Sequence, residues 1–335
     1  MRLSVVMSVY NDAPFVERAV TSILRQSWSG FEFIIINDGC TDGSTDILRR
    51  LATADPRIRL VEQENRGLVA SLNRGFAMAT GDLVARMDGD DESLPHRFER
   101  QLAFLDKHPD HGVIGAQTIN IDATGKVVGL FDAYPRTDEA FRAAMESDML
   151  INHPSAIIDR AAFEKVGGYR PLYRHCEDYD LWLRLSEVTK LCSVEDFLHR
   201  YRLDPGQVTK RHLLPMEIGA AVAWEAHRER QAGRPDPTTA LGELPSVRQL
   251  GDLDRLFGKS GVARRVRERV VPKVLWSQPA LTSGGADLLC QHVADGGDRH
   301  ALPRVVPRLL RFGEYRGAAR LAASLSRSRR TRVDG

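Results

Sequence analysis

The sequence predicts an α/β protein, with a mostly parallel central sheet flanked by helices and a helical C-terminal region. Three observations carry this reading. In the first part of the chain, short apolar runs alternate with segments of helical spacing, as in successive βα units. Polar and acidic residues gather at the carboxyl ends of the first four apolar runs, the edge at which open α/β sheets bind ligands. After about residue 210 the texture changes to long helical stretches, broken at Gly233-Arg234-Pro235-Asp236-Pro237, at Gly284-Gly285 and at Gly296-Gly297. We therefore expect two domains, residues 1–210 and residues 211–335, with the boundary near 210–215.

Leu3 to Val9 is the first strand. Asp12-Ala13-Pro14 supplies a helix cap and an early proline, and Phe15, Ala19, Ile23 and Leu24 follow at helical spacing. Phe31 to Ile36 is a second, buried strand. It ends in the turn signal Asn37-Asp38-Gly39, after which Asp42 or Ser44 caps a helix through Ile47, Leu48 and Leu51. Ile58 to Val61 forms a third strand. Asn65-Arg66-Gly67 leads into a helix through Leu68, Leu72 and Phe76, and Gly81 closes it before Leu83-Val84-Ala85 begins the fourth strand. Helical spacing returns from Pro95 to His108, and Val113-Ile114-Gly115 pairs with Val127-Val128-Gly129 around Ala123-Thr124-Gly125. A short helix is expected from Phe141 to Met149, a strand at Ala156-Ile157-Ile158 and a helix from Arg160 to Val166, stopped by Gly167-Gly168. An amphipathic helix from Asp178 to Leu185 and a strand from Phe197 to Arg202 complete this part.

The 335 residues, 42% of them hydrophobic, suffice for one large domain plus a smaller one. No run approaches the roughly 20 apolar residues of a membrane span, and the N-terminus reads as a strand without a secretory cleavage pattern, so a cytoplasmic protein is expected. Cys40, Cys176, Cys192 and Cys290 lack C-x-x-C spacing, which points away from a zinc knuckle or a disulfide framework. The net charge of +2 gives no support for a nucleic-acid partner. Arginines do crowd the C-terminus: Arg304, Arg308, Arg311, Arg316, Arg320, Arg327, Arg329, Arg330 and Arg332 are opposed there by Glu314 and Asp334. A solvated helix, a peripheral contact with the inner membrane face, a homo-oligomer interface and an acceptor site are all compatible with that pattern.

The most informative stretch is Met87-Asp88-Gly89-Asp90-Asp91, where carboxylates crowd the end of an apolar strand. Acids one residue apart on an extended segment point the same way, and a hard divalent ion relieves their repulsion. Alone, the motif reads sooner as an acidic turn after a strand, since such loops are common. In order, however, the chain reads Ser8-Val9-Tyr10-Asn11, Ile35-Ile36-Asn37-Asp38-Gly39, Asn65-Arg66-Gly67-Leu68, Asn73, Arg86 to Asp91, Asn152-His153-Pro154-Ser155, Gly167-Gly168-Tyr169 and Glu177-Asp178. That series resembles the family 2 glycosyltransferases of GT-A fold, over roughly residues 1–205. The resemblance implies a Rossmann-like sheet and transfer of a sugar from a nucleotide diphosphate donor, usually with inversion.

The resemblance implies a nucleotide site built from Val9, Tyr10, Asn11, Asp38, Arg66 and Asn73, joined by Asp88 and Gly89. A carboxylate at a strand end such as Asp38 is suited to accept the imide N–H of uracil, with the Tyr10 ring as a face for the base, so a UDP-sugar is the favoured donor. The family turn usually carries Asp and Ser where this chain has Asn37 and Cys40. By the same resemblance Asp90 binds Mn²⁺ or Mg²⁺, Asp88 holds the ribose and shares the ion, and Asp91 supports them beside the donor sugar. The resemblance also implies a further ligand after Tyr201-Arg202, where relatives often have His; this chain has Asp204 at that place, a departure that leaves its role in the metal site open. An inverting transfer needs a base opposite the diphosphate; Asp178 matches it, with Glu177 beside it to perturb its proton affinity. Asp180, one turn before Arg184, is expected in an ion pair. His153, Gly168 and Trp182 match positions near the donor sugar or acceptor, although a His before Pro is often a turn residue and Trp182 at helical spacing with Leu181 and Leu185 is more often core.

The expected activity is thus a metal-dependent, inverting hexosyl transfer from a nucleotide-sugar to a glycan, lipid-linked or other hydroxyl acceptor, in cell-surface or secreted glycan assembly. Two alternatives stand beside it. A sugar nucleotidyltransferase would want a Gly-rich phosphate loop with Arg and Lys near the first strand, which Ser8 to Phe15 lacks. A catalytically silent carbohydrate-binding or assembly protein on the same scaffold would not need both the acidic cluster and Glu177-Asp178.

Overall fold

In the computed structural model, which describes residues 2–146, 150–203 and 212–330, the chain divides into two compact units. One comprises Met1–Pro171 with Glu177–Asp204, the other Leu172–Cys176 with Pro205–Gly335.

The first unit is built on one sheet. Its strands are β1 (Leu3–Val9), β2 (Phe31–Asp38), β3 (Ile58–Gln63), β4 (Leu83–Asp88), β5 (Glu92–Ser93), β6 (His111–Ile121), β7 (Val127–Phe131), β8 (Ile157–Asp159) and β9 (Lys190–Arg202). Their order is β3-β2-β1-β4-β8-β6-β9-β5, with β7 paired to β6. The β3-β2-β1-β4 half is parallel, and so is the β6-β9 pair. β8 runs antiparallel to both β4 and β6 and joins the two halves. Helices α1 (Val16–Leu24), α2 (Ser44–Ala54), α3 (Leu68–Met78), α4 (Arg97–Lys107), α5 (Asp138–Ala144), α6 (Arg160–Lys165) and α7 (Glu177–Leu185) flank it.

Sequence explains the parallel half directly. Phe33, Ile34, Ile35 and Ile36 are all fully buried, as expected of a strand covered by helices on both faces. Val16, Ala19, Val20 and Ile23 form the buried stripe of α1 against Val5, Met7, Phe33 and Ile35. Full burial of each such large aliphatic contributes roughly 1.5–3 kcal/mol.

The mixed half was less legible. β9 begins at Lys190, well before the expected Phe197, because its register against β6 shifts between Gly115 and Gln117 and breaks the alternation. β6 extends to Ile121 although Gln117 and Thr118 are polar: Gln117 Nε2 donates to Tyr134 O (3.2 Å) and Val194 O (2.9 Å), so the amide is satisfied inside. β5 has no periodicity to read. The helix expected from Phe141 starts at Asp138, with Thr137 Oγ1 as its cap, and residues 147–149 lie outside the described ones.

The expected capping role of Asp12 is corrected. Phe15 occupies the N-cap of α1 without a side-chain bond. Asp12 gives its carbonyl to Phe15 N and Val16 N, both at 2.8 Å. Its carboxylate turns back toward Tyr10 N and Gly89 instead. Asp42 does serve α2, accepting from Ser44 N (3.1 Å) and Ser44 Oγ (2.7 Å).

The second unit is helical among its described residues. Its longest helix, Leu213–Gln231, buries small side chains at Ala220, Ala221, Ala223 and Ala226 and packs on Val262–Val274. Glu225 receives Arg265 through two bonds (2.9 and 2.6 Å), and Glu217 meets Lys273 at 2.9 Å. No described helix is long and apolar enough to cross a membrane.

At the amino edge of the parallel half, Glu32 Oε1 accepts from Ser4 Oγ, Thr80 N and Thr80 Oγ1, and Gly81 N donates to Ser4 Oγ at 2.9 Å. A Cβ on Gly81 would meet Ser4 N at 2.7 Å and Arg2 O at 2.8 Å, backbone atoms that cannot swing aside. Gly81→Ala is therefore expected to destabilise by about 1–3 kcal/mol. Gly129→Ala, where no atom lies within 4 Å, should stay within roughly 1 kcal/mol of wild type, the two being compared by urea midpoints.

Candidate active site

Strand order reverses at β1: the chain moves outward to β2 and β3, then returns so that β4 pairs the other side of β1. The crevice at such a reversal is the ligand edge of an open sheet. Ser8 pairs with Asp88 in register, placing the ends of β1 and β4 side by side.

The acidic loop sits there. One carboxylate oxygen from each of Asp88, Asp90 and Asp91 lies within 4.8 Å of the others. Asp12, from the end of β1, adds a fourth acid: its carboxylate occupies the space a side chain at Gly89 would need, which explains the glycine between Asp88 and Asp90. Burial, reinforced by Asp90 and Asp88, pushes the Asp12 carboxyl up to about 8. Burial, then Asp91 and Asp88, pushes Asp90 to about 8 as well. Asp91 is raised well above the carboxylate range, by burial first and Asp88 second. An all-oxygen set with excess negative charge fits a hard divalent cation such as Mn²⁺ or Mg²⁺.

The cluster is held by two arginines, a histidine and a backbone amide set behind it. Arg86, buried, pairs with Asp88. Asp91 accepts from Arg202 N at 2.7 Å and pairs with His199 Nε2 at 2.8 Å. Arg202 donates its Nε to Asp90 O (2.6 Å) and Nη1 to Asp122 O (2.7 Å), with its guanidinium over the Phe15 ring at 4.6 Å. Asp91 thus faces the protein interior and supports the loop. Asp12, Arg86, His199 and Arg202 escaped the sequence reading as site residues. His199 and Arg202 do stand just before the place where a ligand was sought, whereas Asp204 lies outside the described residues.

Around the neighbouring strand ends, Tyr10 is half exposed and Arg66 exposed. Asn11, in the left-handed region at φ 60°, accepts from Thr41 N at 2.8 Å. The Val9 side chain is buried, so its backbone is what this edge presents. Asp38 is buried and orders the next loop: Oδ1 accepts from Gln63 Nε2 (2.7 Å) and Arg66 N (2.8 Å), Oδ2 from Gly67 N (2.9 Å). Asn37 makes the local turn, accepting from Cys40 N.

Asn73 and Gly168 are used on each other. Asn73 Nδ2 donates to Tyr169 O at 2.8 Å and its Oδ1 accepts from Tyr169 N at 3.0 Å, while Gly168, at φ 68°, leaves room that a Cβ would close to 2.9 Å from Asn73 Oδ1. Both residues fix Tyr169, whose hydroxyl lies 2.6 Å from His153 Nε2. Burial, then Arg86, holds the His153 imidazolium well below its ordinary range. Trp182 meets His153 edge-on at 5.9 Å and is 1% exposed, so its ring is a core residue with no open face.

Glu177 and Asp178 begin α7. Asp178 Oδ1 accepts from Tyr179 N at 2.7 Å. Burial raises its carboxyl, and that bond with Arg86 opposes the rise. Glu177 is buried and pushed up to about 7, by burial first and Asp178 second. Asp180 is in an ion pair as expected, with Arg184 (2.7 Å) and also with Arg170.

A reversal-point crevice with an acidic turn and a carboxyl pair marks an α/β enzyme site, and the chain belongs to glycosyl transferase family 2, whose model matches residues 4–167. EpsE of Bacillus subtilis, itself named as a glycosyltransferase, is 32% identical over 233 residues, which are 68% of this chain and 82% of that protein. S. aureus TarS in complex with UDP-GlcNAc matches with a TM-score of 0.59 at 14% identity, covering 99% of this chain and 92% of that one. The mannosyltransferase PcManGT of Pyrobaculum calidifontis, in complex with GDP-Man and Mn²⁺, matches at 0.53 and 18%, covering 97% and 86%. At these identities the two structures speak for the GT-A fold. The chain is a glycosyltransferase of the family 2 type.

Glu177 yields a pH-dependent expectation. Its folded value of about 7 exceeds the ordinary 4.5, so the folded protein holds this proton more tightly than the unfolded chain. That stabilisation is complete below about pH 4.5 and is lost as pH rises through about 7. Glu177→Gln, permanently neutral, should equal wild type near pH 4 and exceed it by roughly 1–3 kcal/mol near pH 8, measured by urea unfolding at both. A gain of equal size at both pH values would contradict the assignment.

Proposed function

We propose that the enzyme transfers a sugar, with inversion, from a UDP-sugar to an acceptor hydroxyl in glycan assembly, in a reaction that depends on a divalent cation. The observation that carries this reading is the Asp88-Asp90 cluster at the reversal point of the sheet. Asp90 and Asp88 would hold Mn²⁺ or Mg²⁺, which when bound neutralises the charge of the leaving diphosphate.

The base assignment rests on Asp38. A carboxylate offers about four acceptor positions, and Gln63, Arg66 and Gly67 take three of them. The remaining one, on Oδ2, matches the single imide N–H of uracil, whereas guanine presents two adjacent donors. Tyr10, just past the end of the neighbouring strand β1, offers a half-exposed ring for the base.

Asp178 is the general base. It is half-buried and keeps a backbone donor on Oδ1, so its other oxygen is free to take the acceptor proton. As that hydroxyl oxygen bonds to the anomeric carbon, the bond from carbon to the diphosphate oxygen breaks and the nucleoside diphosphate leaves with the electron pair. Glu177, raised to about 7 by burial and by Asp178, limits the negative charge of the pair.

Calorimetry should find Mn²⁺-dependent UDP binding, tighter than GDP binding, that Asp90→Asn removes; metal-dependent UDP binding that survives in this variant would refute the metal assignment. Asp178→Asn should retain donor affinity while turnover falls about 10²–10⁴-fold. Full turnover in that variant, followed as nucleoside diphosphate release, would move the base elsewhere.

A further inference from the structure

A second cluster of metal-ligating side chains lies away from the acidic loop. Helix α4 ends at Lys107, and the chain turns through His108-Pro109-Asp110 into His111, the first residue of β6. The turn is firmly built. His108 N donates to Phe104 O (3.0 Å), His111 N donates to His108 O (3.0 Å), and Thr189 Oγ1 and Lys190 N both donate to Asp110 O. Phe104 lies against both imidazoles, its ring centroid 4.3 Å from that of His108 and 5.4 Å from that of His111.

One ligand atom from each of His108, Asp110 and His111 falls within 4.8 Å of the others. His111 Nδ1 and Asp110 Oδ1 are already 2.9 Å apart. Bonds of about 2.0–2.1 Å from a tetrahedral ion place its ligands about 3.3 Å from one another, so closure needs only a small swing of the exposed His108 ring. Asp110 Oδ2 is tied to Lys190 Nζ at 2.6 Å, which aims Oδ1 toward the histidines in the manner of an outer-sphere partner.

We propose that His108, Asp110 and His111 bind a Zn²⁺-class transition-metal ion that staples the end of α4 to the start of β6. Two imidazoles and one carboxylate favour Zn²⁺ over Mg²⁺ or Ca²⁺, whereas the acidic loop offers only oxygen. The two sites are also far apart. β9 carries Lys190 beside the first and His199 beside the second, a separation of roughly 25–30 Å along the strand.

The test titrates untagged full-length protein with Zn²⁺ in millimolar Mg²⁺, following competition with a chromophoric chelator and the thermal midpoint. Wild type should bind Zn²⁺ with a rise in Tm. Asp88→Asn/Asp90→Asn should keep this binding. His108→Ala, at an exposed position, should weaken it at least about tenfold, and His108→Ala/His111→Ala should abolish it together with the Tm shift. Absence of Zn²⁺ binding in wild type, unchanged affinity in His108→Ala, or loss confined to the Asp88/Asp90 variant would each overturn the proposal. Absent Zn²⁺ binding or an unchanged affinity in His108→Ala leaves the sugar-transfer reading untouched, because that reading rests on the other cluster.

Discussion

The acidic loop depends on one constraint, the burial of several like charges at a single sheet edge. Asp12, Asp88, Asp90 and Asp91 converge where β1 and β4 end, and removal from water together with mutual repulsion drives Asp12 and Asp90 to about 8. Such a set is unfavourable for the empty protein and favourable for a cation. The loop nevertheless keeps its shape, because the groups behind it are bonded independently of any ion: Arg202 to the carbonyls of Asp90 and Asp122, Asp91 to His199 and to the Arg202 amide. Preorganisation of this kind avoids reordering the loop at each encounter with substrate.

Beneath the loop, α4 performs a comparable task for the backbone. Arg97 Nη2 donates to Arg86 O (2.9 Å) and Ala156 O (3.3 Å), and Gln101 Nε2 to Ile114 O (3.0 Å) and Ser155 O (2.8 Å). These carbonyls belong to β4, to β6 and to the residues just before β8, and Ala156 O accepts from Arg86 N (2.9 Å) as well. Burial depresses Arg97 to about 9, with Arg86 adding to the effect, yet Arg97 still carries a proton at neutral pH.

The alternation of β and α, the turn after β2 and the acidic turn after β4 could all be read from the sequence, since each is a local pattern with a local physical cause. Asp12 was legible as a residue but not as a site residue, because its carboxylate serves a loop that follows much later in the chain. His199 and Arg202 share that difficulty: they meet Asp91 across 108 and 111 positions, and a polar residue in a buried strand reads as an interruption. Asn73 and Gly168 show the converse. Their motifs marked the neighbourhood of the site, but their side-chain and backbone geometry is spent on Tyr169.

Arg86 connects the two halves of the chemistry. It sits on β4 two positions before Asp88 and therefore on the same face of the strand, paired with that carboxylate. Its charge also lowers the proton affinity of Glu177, Asp178 and Tyr169 and disfavours protonation of His153. One buried guanidinium thus favours the ionised form of a base and the neutral form of the imidazole beside it. Asp88 acts in the opposite sense on Glu177 and Asp178. Neutralising Asp88 by a cation removes that opposition, so occupation of the acidic loop lowers the proton affinity of the carboxyl pair. The acidic loop and the Glu177-Asp178 pair are then coupled by ordinary Coulomb forces.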